Sequence, residues 1–242
     1  RAFTYGYDDS SRLRTVTEGG ALRATYTYDA NGNRLTEDGT TRLGAVDGQD
    51  RLTSYGTATY EHDVLGNRTK KTDGGLVTTY EHAVGVQGGP LTKVVMPGKT
   101  VTFDTDALGR RIRRSENGVA THGYLYAGGV APLALLDGQG TPIYRFVYAT
   151  GRSTPDAAID ATGVSYALIT DQVGSLRLVV RSSDGAIMQR MRHDAWGRSE
   201  EDYVAPGFEP VPFGFAGGVF DRTSGLVHLG ARAMGGAGLV FA

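Results

Sequence analysis

Along this chain, short segments of alternating apolar and polar residues recur, and each breaks at a four-residue turn. Thr25-Tyr26-Thr27-Tyr28, Thr78-Thr79-Tyr80 and Lys99-Thr100-Val101-Thr102-Phe103 are rich in β-branched and aromatic residues, the composition of a pleated, half-buried strand. Tyr144-Arg145-Phe146-Val147-Tyr148 alternates in the same way. No stretch carries a helical period of useful length. The breaks read Asp29-Ala30-Asn31-Gly32, Asp63-Val64-Leu65-Gly66, Asp106-Ala107-Leu108-Gly109, Asp171-Gln172-Val173-Gly174 and Asp194-Ala195-Trp196-Gly197. Aspartate at the first position of such a turn can bond the backbone ahead of it. Glycine at the fourth accepts a positive φ without steric cost. The same pattern marks a hairpin loop in which a type I turn is closed by a left-handed glycine bulge. Asp184-Gly185 between apolar runs is a further hairpin signal.

The pattern is an internal repeat: aromatic strand, tight turn, then a strand such as Arg-Leu-Thr or Arg-Ile-Arg. Arginines after the turns fall at Arg12, Arg34, Arg51, Arg68 and Arg111. The last interval has room for two units, and Gly88-Gly89-Pro90-Leu91-Thr92-Lys93 fills it as a degenerate copy. Two early copies, Asp8-Asp9-Ser10-Ser11 and Asp47-Gly48-Gln49-Asp50, lack the glycine but keep Arg-Leu afterwards. Residues from about 126 to 165 read as less regular. Segments such as Arg68-Thr69-Lys70-Lys71-Thr72 are too polar to bury a face without partners. The expectation is a sheet with at least one wet face, held by ladders of like residues on neighbouring hairpins. A row of hairpins grows in one dimension, and a twisted ribbon that keeps growing must coil around a space. The repeated arginines are expected to stack on aromatic rings and to bond turn carbonyls or aspartates. Pro206, Pro210 and Pro212 mark a bend where the chain leaves the row.

Composition narrows the function classes. The chain has 242 residues, and a start at Arg1 points to a piece of something longer. Net charge is −1 with scattered basic residues, which argues against a nucleic-acid surface. Cysteine is absent, which excludes disulfides and thiol chemistry. The longest apolar run, Val130 to Leu136, contains Pro132 and is too short to span a bilayer. Glycine, at 36 residues, is abundant without a collagen period.

Catalytic and metal signals are weak. His62 and His82 both stand in Tyr-Glu-His; zinc would accept two imidazoles, but no aligned third ligand appears and a rung of a side-chain ladder fits better. Asp104-Thr105-Asp106-Ala107-Leu108-Gly109 opens like a calcium loop, yet Leu108 and Ser115 occupy ligand positions, so a turn explains it. Ser224 lacks a nucleophile elbow and reads as a turn residue. Asp194 and Asp221 would suit acid–base chemistry only if folding paired them; both also fit turns. The expectation is therefore no enzyme, no cofactor and no metal.

Several blocks resemble a known family. Tyr28-Asp29-Ala30-Asn31-Gly32-Asn33-Arg34-Leu35-Thr36 is similar to the YD repeat of the Rhs family. Asp171-Gln172-Val173-Gly174-Ser175-Leu176-Arg177-Leu178-Val179, His193-Asp194-Ala195-Trp196-Gly197, Pro212-Phe213-Gly214-Phe215-Ala216-Gly217, Asp221-Arg222-Thr223-Ser224-Gly225-Leu226 and Ala231-Arg232 resemble the ordered blocks that end Rhs core regions. The resemblance covers nearly the whole chain. It implies an all-β fold, a YD-repeat hairpin ribbon spiralling into part of a hollow shell, as in Rhs β-cocoons, toxin-complex C components and teneurin shells. It implies YD-repeat hairpins over 1–165 and a core-associated segment over 166–242. The implied partners are a C-terminal toxin or effector inside the shell and the rest of the repeat array, with no nucleic acid and no membrane insertion by this segment. The implied setting is secreted or cell-surface. The structural turn residues are Asp29, Gly32, Arg34, Asp63, Gly66, Arg68, Asp106, Gly109, Arg111, Asp171, Gly174, Asp194, Gly197, Asp221 and Gly225. Two alternatives stand beside encapsulation: a surface adhesion or recognition module, and an aspartyl-type autoproteolytic closing segment. Self-cleaving relatives continue past Ala-Arg with Asp-Pro motifs; here no acidic residue follows Asp221.

Overall fold

A computed structural model describes residues 2–38, 44–83, 89–230, 232–235 and 240–241. Gly88 of the degenerate copy, Ala231 and most of the Gly-rich tail lie outside the described residues. The chain divides into two compact units, Arg1–Val77 and Thr78–Ala242.

In the first unit, β1 (Phe3–Tyr7), β2 (Leu13–Glu18), β3 (Ala21–Tyr28) and β4 (Arg34–Glu37) pair in sequence order, all antiparallel. So do β5 (Gly44–Val46), β6 (Leu52–Tyr55), β7 (Ala58–His62) and β8 (Arg68–Asp73). β9 (Leu76–His82) begins at the boundary and opens the second unit. There β10 (Leu91–Met96), β11 (Lys99–Thr105), β12 (Arg111–Glu116), β13 (Val119–Leu125), β14 (Ala134–Asp137), β15 (Pro142–Val147), β16 (Ala157–Asp160), β17 (Ser165–Thr170), β18 (Leu176–Arg181), β19 (Ile187–His193) and β20 (Ser199–Val204) follow. Each bonds its sequence neighbours, in an order that never returns on itself. The stretch read as less regular, 126–165, contributes three strands to this row, one of them along the alternating segment at 144–148. β21 (Val219–Asp221), β22 (Leu226–Leu229), β23 (Arg232–Gly235) and β24 (Val240–Phe241) form a separate small sheet. The described part is all-β, apart from one 3-10 turn at Phe215–Gly217.

The second unit is a two-layer structure, drier than the polar strands suggested. β20 ends at Val204, and the chain turns at Pro206-Gly207 and crosses beneath the row. Phe208, Val211, Phe213, Phe220, Val227 and Met234 pack against Tyr124, Leu135, Tyr144, Phe146, Tyr166, Leu168, Leu176, Val179 and Met191 of the strands. A second cluster joins Tyr80, Leu91, Val94, Val101 and Phe103 to Leu226 and Ala233. Phe213 has no exposed surface and meets Phe146 edge-on at 4.9 Å. Burying a side chain of this size contributes about 1.5–3 kcal/mol. The opposite face stays wet, with cross-strand pairs such as Lys93–Glu81 and Arg192–Asp202. Exposed pairs of this kind are worth little. Alternation along each strand thus separates a covered face from a solvated one.

The crossing segment is also held by hydrogen bonds that imitate strand pairing. Buried Gln189 on β19 accepts from the Val211 N–H at 3.0 Å and donates to its carbonyl at 3.3 Å. The N–H of Leu176 donates to the Gly214 carbonyl, and the Ala216 N–H to the Ser175 hydroxyl.

Close packing fixes one glycine twice over. Gly197 has φ +82°, and a Cβ there would lie 2.4 Å from Met234 Cε and 2.8 Å from the Phe215 ring. Gly32 has φ +90° with nothing nearby. Gly32→Ala is expected to cost the left-handed backbone strain alone, about 1–2 kcal/mol. Gly197→Ala should cost clearly more in urea unfolding, and equal losses would count against this packing of the inner layer.

Candidate functional site: the cross-linked turns and the charged seam

One turn design recurs at Asp8, Asp29, Asp47, Asp63, Asp106, Asp137, Asp160, Asp171 and Asp194. The aspartate N–H donates to the carbonyl four residues on, and the N–H three residues on donates back to its carbonyl. Oδ1 accepts from the N–H four residues ahead in each, as in Asn67 to Asp63 at 2.9 Å and Arg198 to Asp194 at 2.9 Å. Side-chain bonds from Asn33 hold the Asp29 carboxyl below the usual range, and those from Arg110 do so for Asp106. Gly32, Gly66, Gly109, Gly174 and Gly197 all take positive φ at the fourth position. Where glycine is missing, Ser11 and Asp50 adopt φ of 61° and 58° instead. Asp137-Gly138 reads as a turn after a strand but not as a copy of the repeat, and the turn at Asp160 was not singled out by sequence reasoning. Their Asp-x-x-Gly spacing was the available signal, masked because no arginine follows.

Two kinds of arginine follow these turns, at consecutive positions. Arg12, Arg51 and Arg110, four residues after the aspartate, bind its carboxylate and also donate to carbonyls of the next hairpin loop, those of Asp29, Asp63 and Gly129. Arg12 also lies 4.9 Å from the Tyr28 ring and Arg110 4.8 Å from that of Tyr126. Those tyrosines donate back to the Leu13 and Arg111 carbonyls. Arg34, Arg68 and Arg111, one position later, stack on Tyr55 at 4.6 Å, Tyr60 at 5.0 Å and Phe103 at 3.3 Å. Arg68 is 2 % exposed despite its polar strand, because the ring beneath it replaces part of its hydration. Arg34→Ala and Arg68→Ala are each expected to lower stability by about 1–2 kcal/mol; unchanged melting curves for both would refute the stacking role.

The Asp221 turn is built differently. The Ser224 N–H and hydroxyl bond Asp221 Oδ1, and the Gly225 N–H donates to the Asp221 carbonyl at 2.8 Å. Oδ2 receives Nε of Arg114 on β12 at 2.6 Å. Arg114 also donates to Glu116 at 2.9 Å, Thr223 at 2.7 Å and Thr121 at 2.8 Å. Burial works to raise the Asp221 pKa, but the Arg114 charge and hydrogen bond override it, so the carboxyl is held below its ordinary value. Beside this group, Arg111 Nη2 lies 2.6 Å from Nδ1 of His228 on β22, whose ring meets Phe103 at 5.1 Å. Together these side chains form a charged seam between the sheet and its inner layer. A cavity of about 260 Å³ opens along the seam, lined by Arg114, Glu116, His122, Glu209, Asp221 and Arg222 among others.

Asp194 and Asp221 are thus engaged with separate partners, the backbone of its own turn for one and Arg114 for the other. Asp106 serves its turn, while Asp104 faces Arg113 at 3.7 Å. His62 lies opposite Arg68, and His82 Nδ1 lies 3.1 Å from the Gly89 carbonyl. Among the described residues, no three of His, Asp and Glu converge as a metal site would require, and no helix is long and apolar enough to cross a membrane. Sequence reasoning missed Arg114 and His228, since nothing local marks residues whose partners lie more than a hundred positions away.

A family model described as Teneurin YD-shell matches residues 1–236. The chain belongs to the teneurin YD-shell family. Teneurin-1 of Gallus gallus is 29% identical over 236 residues, and Teneurin-1 of Mus musculus 29% over 238. Each alignment covers 95% of this chain and 8% of the relative, so this YD-shell chain spans a small part of those proteins. Among solved structures it is similar to a Photorhabdus luminescens Tc holotoxin pore, at 13% identity and TM-score 0.34, over 96% of this chain and 16% of that one. It is also similar to a TcdB2–TccC3 crystal structure, at 11% identity and TM-score 0.32, over 96% and 18%.

The seam dictates how this YD-shell segment responds to acid. Bonds from the Arg114 and Thr223 side chains hold the Glu116 pKa at about 2, against an ordinary 4.5. Asp221 is lowered likewise. A depressed carboxylate contributes fully above its unfolded pKa, and the contribution drains as pH falls through the folded value. Stability should therefore decline from about pH 4.5 toward pH 2, and Glu116→Gln should flatten that limb in urea titrations. Asp221→Asn removes one of the two carboxylates that pair with Arg114, leaving Glu116, and is expected to cost about 1–3 kcal/mol in urea unfolding.

Proposed function

We propose that this chain is a structural wall segment of a shell that encloses and shields a C-terminal toxin or effector for delivery, and that it is not an enzyme. The observation that carries the reading is the one-directional row of hairpins, several of them cross-linked to the next through the turn. Such a row extends without forming a local catalytic cleft, and its aspartates serve backbone geometry. Family membership supports a shell module. Under this reading residues 1–165 supply wall hairpins and residues 166–242 act as the core-associated closing segment. The partners are the remaining repeat array and the cargo within, and the mature parent protein is secreted or displayed at the cell surface.

A second reading, adhesion at a cell surface, is favoured by the teneurin relatives and by the exposed Phe3, Tyr5 and Tyr7 on β1, where aromatic rings offer contact area to a protein or sugar. Electron microscopy of the full-length product, together with limited proteolysis, distinguishes them. Encapsulation expects a hollow particle whose C-terminal domain resists protease until the wall is opened. A C-terminal domain digested as fast as an exposed linker, or no hollow particle, overturns it.

A further inference from the structure

We propose that His228 and Arg111 form an acid-sensitive latch that loosens the inner layer of the second unit from its sheet under mild acid. The contact joins the two layers directly: Arg111 belongs to β12 of the row and His228 to β22 of the small sheet. Arg111 is 8 % exposed, its guanidinium carbon lies 3.3 Å from the Phe103 ring centre, and its Nη1 has no hydrogen-bond partner. It has no carboxylate of its own. Nη2 lies 2.6 Å from Nδ1 and 2.7 Å from Nε2, against the ring and not along one lone pair, so what the contact tolerates is a neutral imidazole beside the guanidinium. Protonation therefore sets two cations at contact distance, in surroundings poor in water.

The neighbours give no relief. The groups facing the ring are Arg111 from β12 and Phe103 from β11. Across its own sheet stand Val219 on β21 and Ala233 on β23, which do not titrate. The next charges, Asp221 and Arg114, are committed to each other, and Tyr126 beside Arg111 donates its hydroxyl to the Arg111 carbonyl. Burial, then Arg111, push the His228 pKa well below its ordinary 6.5. The sign follows: the imidazole of a detached β22 takes a proton below about pH 6.5, whereas the docked one resists, so acid favours detachment.

The two links of the seam respond at different acidities. The imidazole link weakens within the physiological range. The Arg114–Asp221 pair persists to much lower pH, so β22 loosens before the Asp221 turn lets go. His193 is a built-in control. Its pKa is also lowered, mainly by burial with a smaller push from the Arg177 charge, but its ring bonds the Leu176 carbonyl and the Ser199 hydroxyl.

The test is residue-resolved hydrogen exchange on the intact chain at about pH 7.5 and about pH 5.5, corrected for intrinsic rates, with a carbon-13 histidine titration alongside. Protection of Val227, His228 and Met234 should fall at least about tenfold, the factor of one pKa unit, while β17 and β18 hold. His228→Gln should abolish the pH dependence at Val227 and Met234, whereas His193→Gln, which removes a separate titration beside Phe215, should leave it in place there. Equal protection at both pH values overturns the latch, as does a wild-type His228 that titrates near its ordinary value with the inner layer still docked. The histidine titration uses the unmutated chain, so it decides the matter even where a variant fails to fold.

Discussion

An aspartate carboxylate capturing backbone N–H groups across a four-residue turn is the constraint on which this molecule rests. It closes each hairpin at one end, and the register shift beside the turn gives the strands a local bulge. At Asp8, Asp29, Asp47 and Asp106 its second oxygen holds the arginine or asparagine four residues on, and that side chain reaches the neighbouring hairpin. A local turn thereby becomes a long-range joint. The same carboxylate fixes a loop, aligns a strand and specifies the next neighbour in the row, without metal, disulfide or helix among the described residues. Charge-assisted bonds of this kind are stronger than neutral ones, and their repetition makes up for the modest worth of each.

The second layer of construction is different in kind. The inner segment of the second unit is apolar where it faces the row, and it is anchored by Gln189, Ser175, Arg114 and Arg111, none of which follows the repeat logic alone. Arg111 occupies a repeat position but is drawn into the seam; Arg114 lies outside the repeat altogether. A wall built of interchangeable hairpins is here adapted to one particular occupant of its covered face, the chain's own C-terminal part. Stability and acid response concentrate at that adaptation, where two guanidinium groups meet two carboxylates and one imidazole.

What the sequence determined was everything set by neighbours a few residues apart. Hairpins, turn type, the absence of helices, the alternating strands and the departure at the prolines were all legible, because Asp, Gly and Pro act through local backbone geometry. Ser11 and Asp50 show the limit of that reading: the turn persists without glycine because the surrounding bonds hold a strained φ. Tertiary structure alone decided which face is dry, why Arg68 is tolerated in a buried position, and how Arg114 meets Asp221 and Arg111 meets His228. Those contacts join residues far apart in the chain, and their free energy depends on desolvation and packing, which no local pattern of residues encodes.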